Sequence, residues 1–123
     1  MWHPGRRIGG MCHYLLAERA NSNRLSKGHY ANEAIALFQQ EVAKVESMPN
    51  DFEVKIFGGG NMFSTLPITR RGENVATSNI ESGLRLLAEN GFKVKASDLG
   101  GTWHRRVILD LWSGDVWLSN GQG

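Results

Sequence analysis

The sequence predicts an α+β domain in which a mixed, mostly antiparallel sheet packs against two helices. Three observations lead there. Apolar residues recur at helical spacing in two separate stretches, near residues 30–48 and 73–90. Short runs that alternate apolar and polar side chains, such as FEVKIF at residues 52–57, read as strands with one covered face. Turn residues, among them His3-Pro4-Gly5, Asn90-Gly91 and Ser113-Gly114-Asp115, separate these runs.

Taken in order, the chain opens on His3-Pro4-Gly5, where proline presets φ and glycine accepts the positive φ that follows. A turn connects two segments and only Met1 and Trp2 precede this one, so a chain that opens on it is odd. Arg7 to Leu16 reads as a largely buried strand, and Glu18 to Gly28 as a polar exposed loop. From Tyr30 to Met48, the residues Ala31, Ile35, Phe38, Val42 and Val45 fall at spacings of four, three, four and three, one stripe of an amphipathic helix. Pro49-Asn50 breaks it. The strand from Phe52 to Phe57 leads into the glycine cluster Gly58-Gly59-Gly60. A second helix spans Glu73 to Asn90 with Ile80, Leu84 and Leu87 on one side, and Gly91 is suited to stop it in the left-handed region. Three strands follow, at Phe92 to Ser97, Arg106 to Trp112 and Val116 to Leu118, the last two joined tightly through Ser113-Gly114-Asp115.

Composition narrows the function classes. The 123 residues suit one domain, able to bury roughly two thirds of the surface of its unfolded chain. With 41% hydrophobic and 21% charged residues, the chain belongs with folded rather than disordered proteins. A formal charge of +2, with basic residues scattered in pairs, gives no clustered face for nucleic acid. No apolar stretch approaches the ~18 residues of a membrane span. One cysteine cannot form an internal disulfide, which points to a reducing, cytoplasmic setting.

That cysteine, Cys12, stands beside His13, and a thiol next to an imidazole raises the question of cysteine hydrolysis. The chemistry needs a thiolate, a base within hydrogen-bond reach, and donors for the oxyanion. In an extended strand consecutive side chains face opposite ways, so Cys12 and His13 are expected to look away from each other. Cys12 then reads as a small buried hydrophobe, and His13 taken alone is open to a structural or a catalytic role. FGGGNMF, Phe57 to Phe63, could bring backbone N–H groups to an anion, or bring a protein substrate's backbone close. It is not a P-loop, since no Lys-Ser/Thr follows. DLGGTWHRR reads as a turn or bulge. Trp103, Trp112 and Trp117 read as core or hairpin-face residues. The spacings of His3, His13, His29, His104 and Cys12 match no zinc pattern, and no metal is expected.

The segments together resemble the CheD family, the chemoreceptor glutamine deamidases of bacterial chemotaxis. GGMCHYLL, HYANEAI, KIFGGGNMF, GENV, DLGGTWHRRV and SGDV follow in family order over essentially the whole chain. The stretch ITRRGENV departs from the family's usual form, in which a glycine sits nearer the isoleucine. The resemblance implies an α/β sandwich similar to CheD and to the cytotoxic necrotizing factor catalytic domain. It implies a protein-glutamine glutaminase without cofactor, acting on methyl-accepting chemotaxis receptors and pairing with a CheC-type phosphatase.

By the same resemblance His13 matches the catalytic histidine, and Cys12 falls where relatives carry other residues. Gly58, Gly59, Gly60 and Asn61 are the candidate substrate-binding edge. The family's nucleophilic cysteine lies upstream in a Gly-Ser-Cys element, as does a threonine that assists the histidine, and residues 1–123 contain neither. Three explanations stand, in this order: the start is placed too far downstream, the chain is a shortened relative kept for binding, or Cys12 has been recruited as a replacement nucleophile. On the first two, the chain alone is expected to be inactive. A missing strand would also leave an apolar edge that invites self-association. Apart from the resemblance, a small structural or oligomerising domain is the remaining reading.

Overall fold

The computed structural model describes residues 1–17, 28–60 and 75–120. The elements run β1 (Trp2–His3), β2 (Ile8–Gly9), α1 (Ala31–Lys44), a 3₁₀ turn at Pro49–Asp51, β3 (Val54–Gly58), α2 (Val75–Glu89), β4 (Val94–Leu99), β5 (Arg105–Leu109) and β6 (Val116–Asn120). This is the expected α+β composition: two helices and small, mostly antiparallel sheets. β1 pairs with β2 and β5 with β6, both antiparallel. The remaining pair, β3 with β4, is parallel. Among the described residues the strands form three two-stranded sheets. The parallel pairing follows from α2, which carries the chain back so that β4 starts beside the beginning of β3.

Helix α1 buries Ala31, Ala34, Ile35 and Val42, with Phe38 and Val45 half-buried against the core, as its periodicity predicted. Its first N–H groups have no side-chain cap. They are met by the preceding chain instead, since Ala31 N donates to Leu16 O at 2.8 Å and Asn32 N to Ala17 O at 3.4 Å. At the other end Ser47 N reaches Val42 O (3.2 Å) and Glu46 N reaches Ala43 O (3.0 Å). These are the two bonds of a Schellman stop, with Glu46 in the left-handed position at φ 53°.

Helix α2 ends in the same way. Phe92 N donates to Leu87 O at 2.9 Å and Gly91 N to Ala88 O at 3.2 Å, with Gly91 at φ 80°. Phe92 and Leu87 both lie in the core, the apolar contact that accompanies this motif. The buried stripe of α2 differs from the expected one. Leu84 is 39% exposed, and Gly83 is buried in its place together with Leu87. Leu84 lies a helical step to the side of the line that Gly83 and Leu87 share, and what packs on Gly83 is a tyrosine from the N-terminal segment.

The core is Ile35, Val42, Phe52, Val54, Ile56, Leu87 and Phe92, between the two helices and one face of β3. Val54 and Ile56 point inward and Lys55 outward, as the alternation predicted. The N-terminal hairpin is tied to this core. Trp2 exchanges two backbone bonds with Glu53 (2.9 and 2.8 Å), and its indole Nε1 donates to Leu111 O at 2.8 Å.

Three expectations need correction. Arg7 to Leu16 is not a buried strand. Only Ile8–Gly9 forms a strand, Leu16 makes an isolated bridge to Tyr30, and Met11, Cys12, His13 and Leu15 are exposed. No strand flanks residues 11–15 among the described residues, so their apolar side chains have nothing to pack on from both sides. The β5–β6 connection is longer than Ser113-Gly114-Asp115, since β5 stops at Leu109. Asp110 Oδ1 then accepts from Trp112 N at 2.8 Å, while Gly114 N returns to Asp110 O at 2.8 Å. Trp112 therefore sits on the loop, 72% exposed under the Arg7 guanidinium, and Trp117 lies on the outer hairpin face. Neither is core. The expected loop from Glu18 to Gly28 lies outside the described residues except for Gly28. No helix among the described residues is long and apolar enough to cross a membrane.

Candidate functional site

Residues 11–15 cross the molecule without a ladder of their own, so what holds them matters. At one end Gly10 N donates to Met1 O (3.0 Å) and the Met1 ammonium to Gly10 O (2.9 Å). At the other, Leu15 N and Leu16 N both donate to His29 O, at 2.7 and 3.1 Å. Between them, Tyr14 turns its ring onto helix α2. Its hydroxyl donates to Asn79 O at 2.7 Å, and the Asn79 side-chain Nδ2 donates to Leu15 O at 2.8 Å. The ring fits because Gly83 has no side chain: a Cβ there would lie 2.2 Å from the Tyr14 hydroxyl.

This route leaves Cys12 and His13 on the wall of a cavity of about 1180 Å³, open on one side. The same cavity is bordered by Gly58, Gly59 and Gly60, by Asn79 and Ile80 of α2, and by Trp103, His104 and Arg105. The expected opposition of Cys12 and His13 rested on strand alternation. Because this stretch is not a paired strand, all of residues 11–15 border the one cavity. No hydrogen bond joins Cys12 to His13 among the described residues.

Cys12 is also not the buried hydrophobe that a strand would have made of it. It is exposed at the residue level, yet the surrounding walls strip enough water from the thiol to push its pKa up, and the Met1 ammonium pulls weakly the other way. A thiol held above its ordinary range is mostly protonated near neutrality, the opposite of an activated nucleophile.

The glycine segment forms the facing edge. Gly59 has φ 67°, and a Cβ there would fall 2.4 Å from Ile80 and 3.5 Å from Ala76 O, so only glycine fits against α2. Gly60 lies as tightly against the Trp103 carbonyl, at 2.8 Å from its Cβ position. Gly58 O accepts from Gly100 N at 2.8 Å, which fastens this edge to the turn after β4. Asn61, the fourth candidate on this edge, lies outside the described residues.

Arg105 closes the far side. Its side chain is 4% exposed, and it donates to Asp98 Oδ1 through Nε (3.2 Å) and Nη2 (2.8 Å) and to Gly100 O (2.7 Å). The DLGGTWHRR turn is therefore a locked corner, with Gly100 and Gly101 both at positive φ as expected of a turn. Tyr14, Asn79 and Arg105 were missed at the level of sequence. Tyr14 stood beside the histidine and Arg105 in the quoted motif, but nothing in the sequence around Asn79 marks it. Among the described residues no group of three or more His, Cys, Asp or Glu side chains could hold a metal ion.

Residues 15–120 match the family model described as CheD chemotactic sensory transduction. The match begins just after His13 and includes Gly58, Gly59 and Gly60. A protein of Pseudomonas syringae pv. syringae named probable chemoreceptor glutamine deamidase CheD is 43% identical over 117 residues, which is 95% of this chain and 66% of the relative. One of Dechloromonas aromatica, named probable chemoreceptor glutamine deamidase CheD 3, is 42% identical over 124 residues, 100% of this chain and 72% of the relative. A Leptospira interrogans protein, named probable chemoreceptor glutamine deamidase CheD 1, is 33% identical over 121 residues, covering 95% and 73%. The chain thus spans about two thirds of the length of the curated relatives it matches. On the family model and these identities, the chain belongs to the CheD family of chemotactic sensory transduction.

Proposed function

We propose that the protein is a cytoplasmic glutamine deamidase of methyl-accepting chemotaxis receptors, in which His13 is the acid–base group. Gly58, Gly59, Gly60 and Asn61 form the edge along which the substrate lies. The observation that carries this reading is the placement of His13: its exposed imidazole shares one open cavity with the glycine edge, and no hydrogen bond among the described residues occupies its ring. The names of the relatives support the reaction class.

In this reading a cysteine thiolate adds to the side-chain amide carbon of a receptor glutamine. His13 gives a proton to the departing ammonia, then takes one from the water that hydrolyses the thioester, leaving glutamate and free thiol. By the resemblance the nucleophile is a cysteine other than Cys12, and burial holds the Cys12 thiol above its ordinary range. By the same resemblance that nucleophile belongs to a Gly-Ser-Cys element, which residues 1–123 do not contain. The chain alone is then inactive, because hydroxide formed by the histidine is too weak a substitute for an enzyme-bound nucleophile, whose loss costs several orders of magnitude.

Mass spectrometry of a receptor fragment tests this. The protein isolated from its own cells should convert receptor glutamine to glutamate, while residues 1–123 should not. Absence of conversion by the native protein would sink the deamidase reading.

A second reading, a non-catalytic binding module for a chemoreceptor or a CheC-type phosphatase, is supported by Cys12 being the one thiol of residues 1–123 and by the burial that raises its pKa. It becomes the better one if the native protein, measured by intact mass, begins at Met1 and binds receptor without deamidating it.

A further inference from the structure

Helix α2 touches both halves of the cavity edge, and it does so with adjacent turns. Ala76 and Ile80 pack against Gly59. Asn79 and Gly83 hold the segment that carries His13. The two Asn79 bonds fall on the residues directly after the histidine: its backbone carbonyl receives the Tyr14 hydroxyl at 2.7 Å, and its amide gives a hydrogen to Leu15 O at 2.8 Å.

Helical geometry explains why this needs Gly83. The carbonyl of a helical residue points along the axis toward the residue four positions on. For Asn79 that residue is Gly83, and its bare Cα is the gap through which the Tyr14 hydroxyl enters. The orientation of the Asn79 amide is equally determined, because Leu15 O can only accept and so must face Nδ2. The amide's Oδ1 is buried without a partner among the described residues, so its bond to Leu15 is the one that orients it. Since residues 11–15 have no strand partner, these contacts and the His29 carbonyl set the direction of the backbone at His13.

We infer that Asn79 is a positioning residue for His13: with Tyr14 and Gly83 it clamps the histidine segment to α2, and the same helix, through Ala76 and Ile80, fixes the glycine edge. One rigid element thus sets the separation between histidine and substrate edge. The catalytic meaning of the clamp rests on the deamidase reading of His13, but the clamp itself does not.

The test is NMR on the whole chain carrying Asn79→Asp or Tyr14→Phe. Tyr14→Phe removes the hydroxyl, and Asn79→Asp puts a carboxylate, which cannot donate, against the Leu15 carbonyl. The imidazole signal of His13 is followed with those of His3 and His104 as internal references. In both variants the His13 signal should shift while those of His3 and His104 stay in place, and amide exchange at Leu15 and Leu16 should rise roughly tenfold. A lower melting temperature with an unmoved His13 signal would mean that the contacts serve stability alone, and would overturn the assignment. Failure of the native protein to deamidate receptor would remove the catalytic meaning without altering what the NMR decides.

Discussion

Gly83→Ala separates two physical effects of opposite sign. In an exposed helix interior, alanine is favoured over glycine by about 1 kcal/mol, so helix propensity alone predicts a more stable protein. At this position the new Cβ would meet the Tyr14 hydroxyl at 2.2 Å, Ile56 Cδ1 at 3.1 Å and Tyr14 Cζ at 3.2 Å. Overpacking of this kind costs about 1–3 kcal/mol, and the displaced hydroxyl loses a bond worth about 0.5–1.5 kcal/mol. With the propensity gain subtracted, the expected net loss is about 2 kcal/mol. For a chain of this size that corresponds to a fall in Tm of roughly 8 °C.

Urea unfolding of the four members of a Gly83→Ala and Tyr14→Phe cycle gives the coupling directly. With phenylalanine at position 14 the 2.2 Å clash has no oxygen to form it, so Gly83→Ala should become nearly neutral, a coupling of about 1–2 kcal/mol. A Gly83→Ala protein more stable than the parent, or additive single changes, would show that Tyr14 does not seat on α2.

Gly114→Ala should cost at least about 2 kcal/mol in thermal unfolding, since its Cβ would lie 2.2 Å from the Trp2 ring and its φ is +77°. Glu46→Gly should instead stabilise by about 0.5–1 kcal/mol in urea titration, because it relieves a left-handed glutamate at a helix stop. The raised pKa of Cys12 means that the folded state favours the protonated thiol. Stability from this group is therefore complete below the ordinary thiol range and declines as pH rises through the folded value. Cys12→Ser should flatten that alkaline decline, and alkylation of Cys12 near pH 8 should be slower than that of an unfolded control peptide. On the deamidase reading, His13→Ala in the native protein should lower receptor deamidation about 10²–10⁴-fold. Its Tm should barely change, since the imidazole is exposed and makes no hydrogen bond among the described residues.

Local patterning was enough to find the two helices, the glycine stop of α2, the β3 alternation and the hairpin of β5 and β6. Each of these is set by contacts within a few residues along the chain: periodicity selects the buried face of α1, and Gly91 can take the left-handed stop that Phe92 and Leu87 then cover. The motif around GGMCHYLL and KIFGGGNMF likewise marked His13 and the glycine edge as the places to look.

What the pattern could not say was whether residues 11–15 lie in a ladder, because a strand needs partners and an isolated sequence does not reveal which are present. The parallel pairing of β3 with β4 is of the same kind, since it depends on where α2 returns the chain. Asn79 and Gly83 are the clearest case. In the sequence they are a polar residue and a helix-weakening one on an otherwise ordinary helix. Only when Tyr14, 65 residues away from Asn79, is brought against them do the missing side chain and the second lone pair of the helix carbonyl become a seat for the histidine segment.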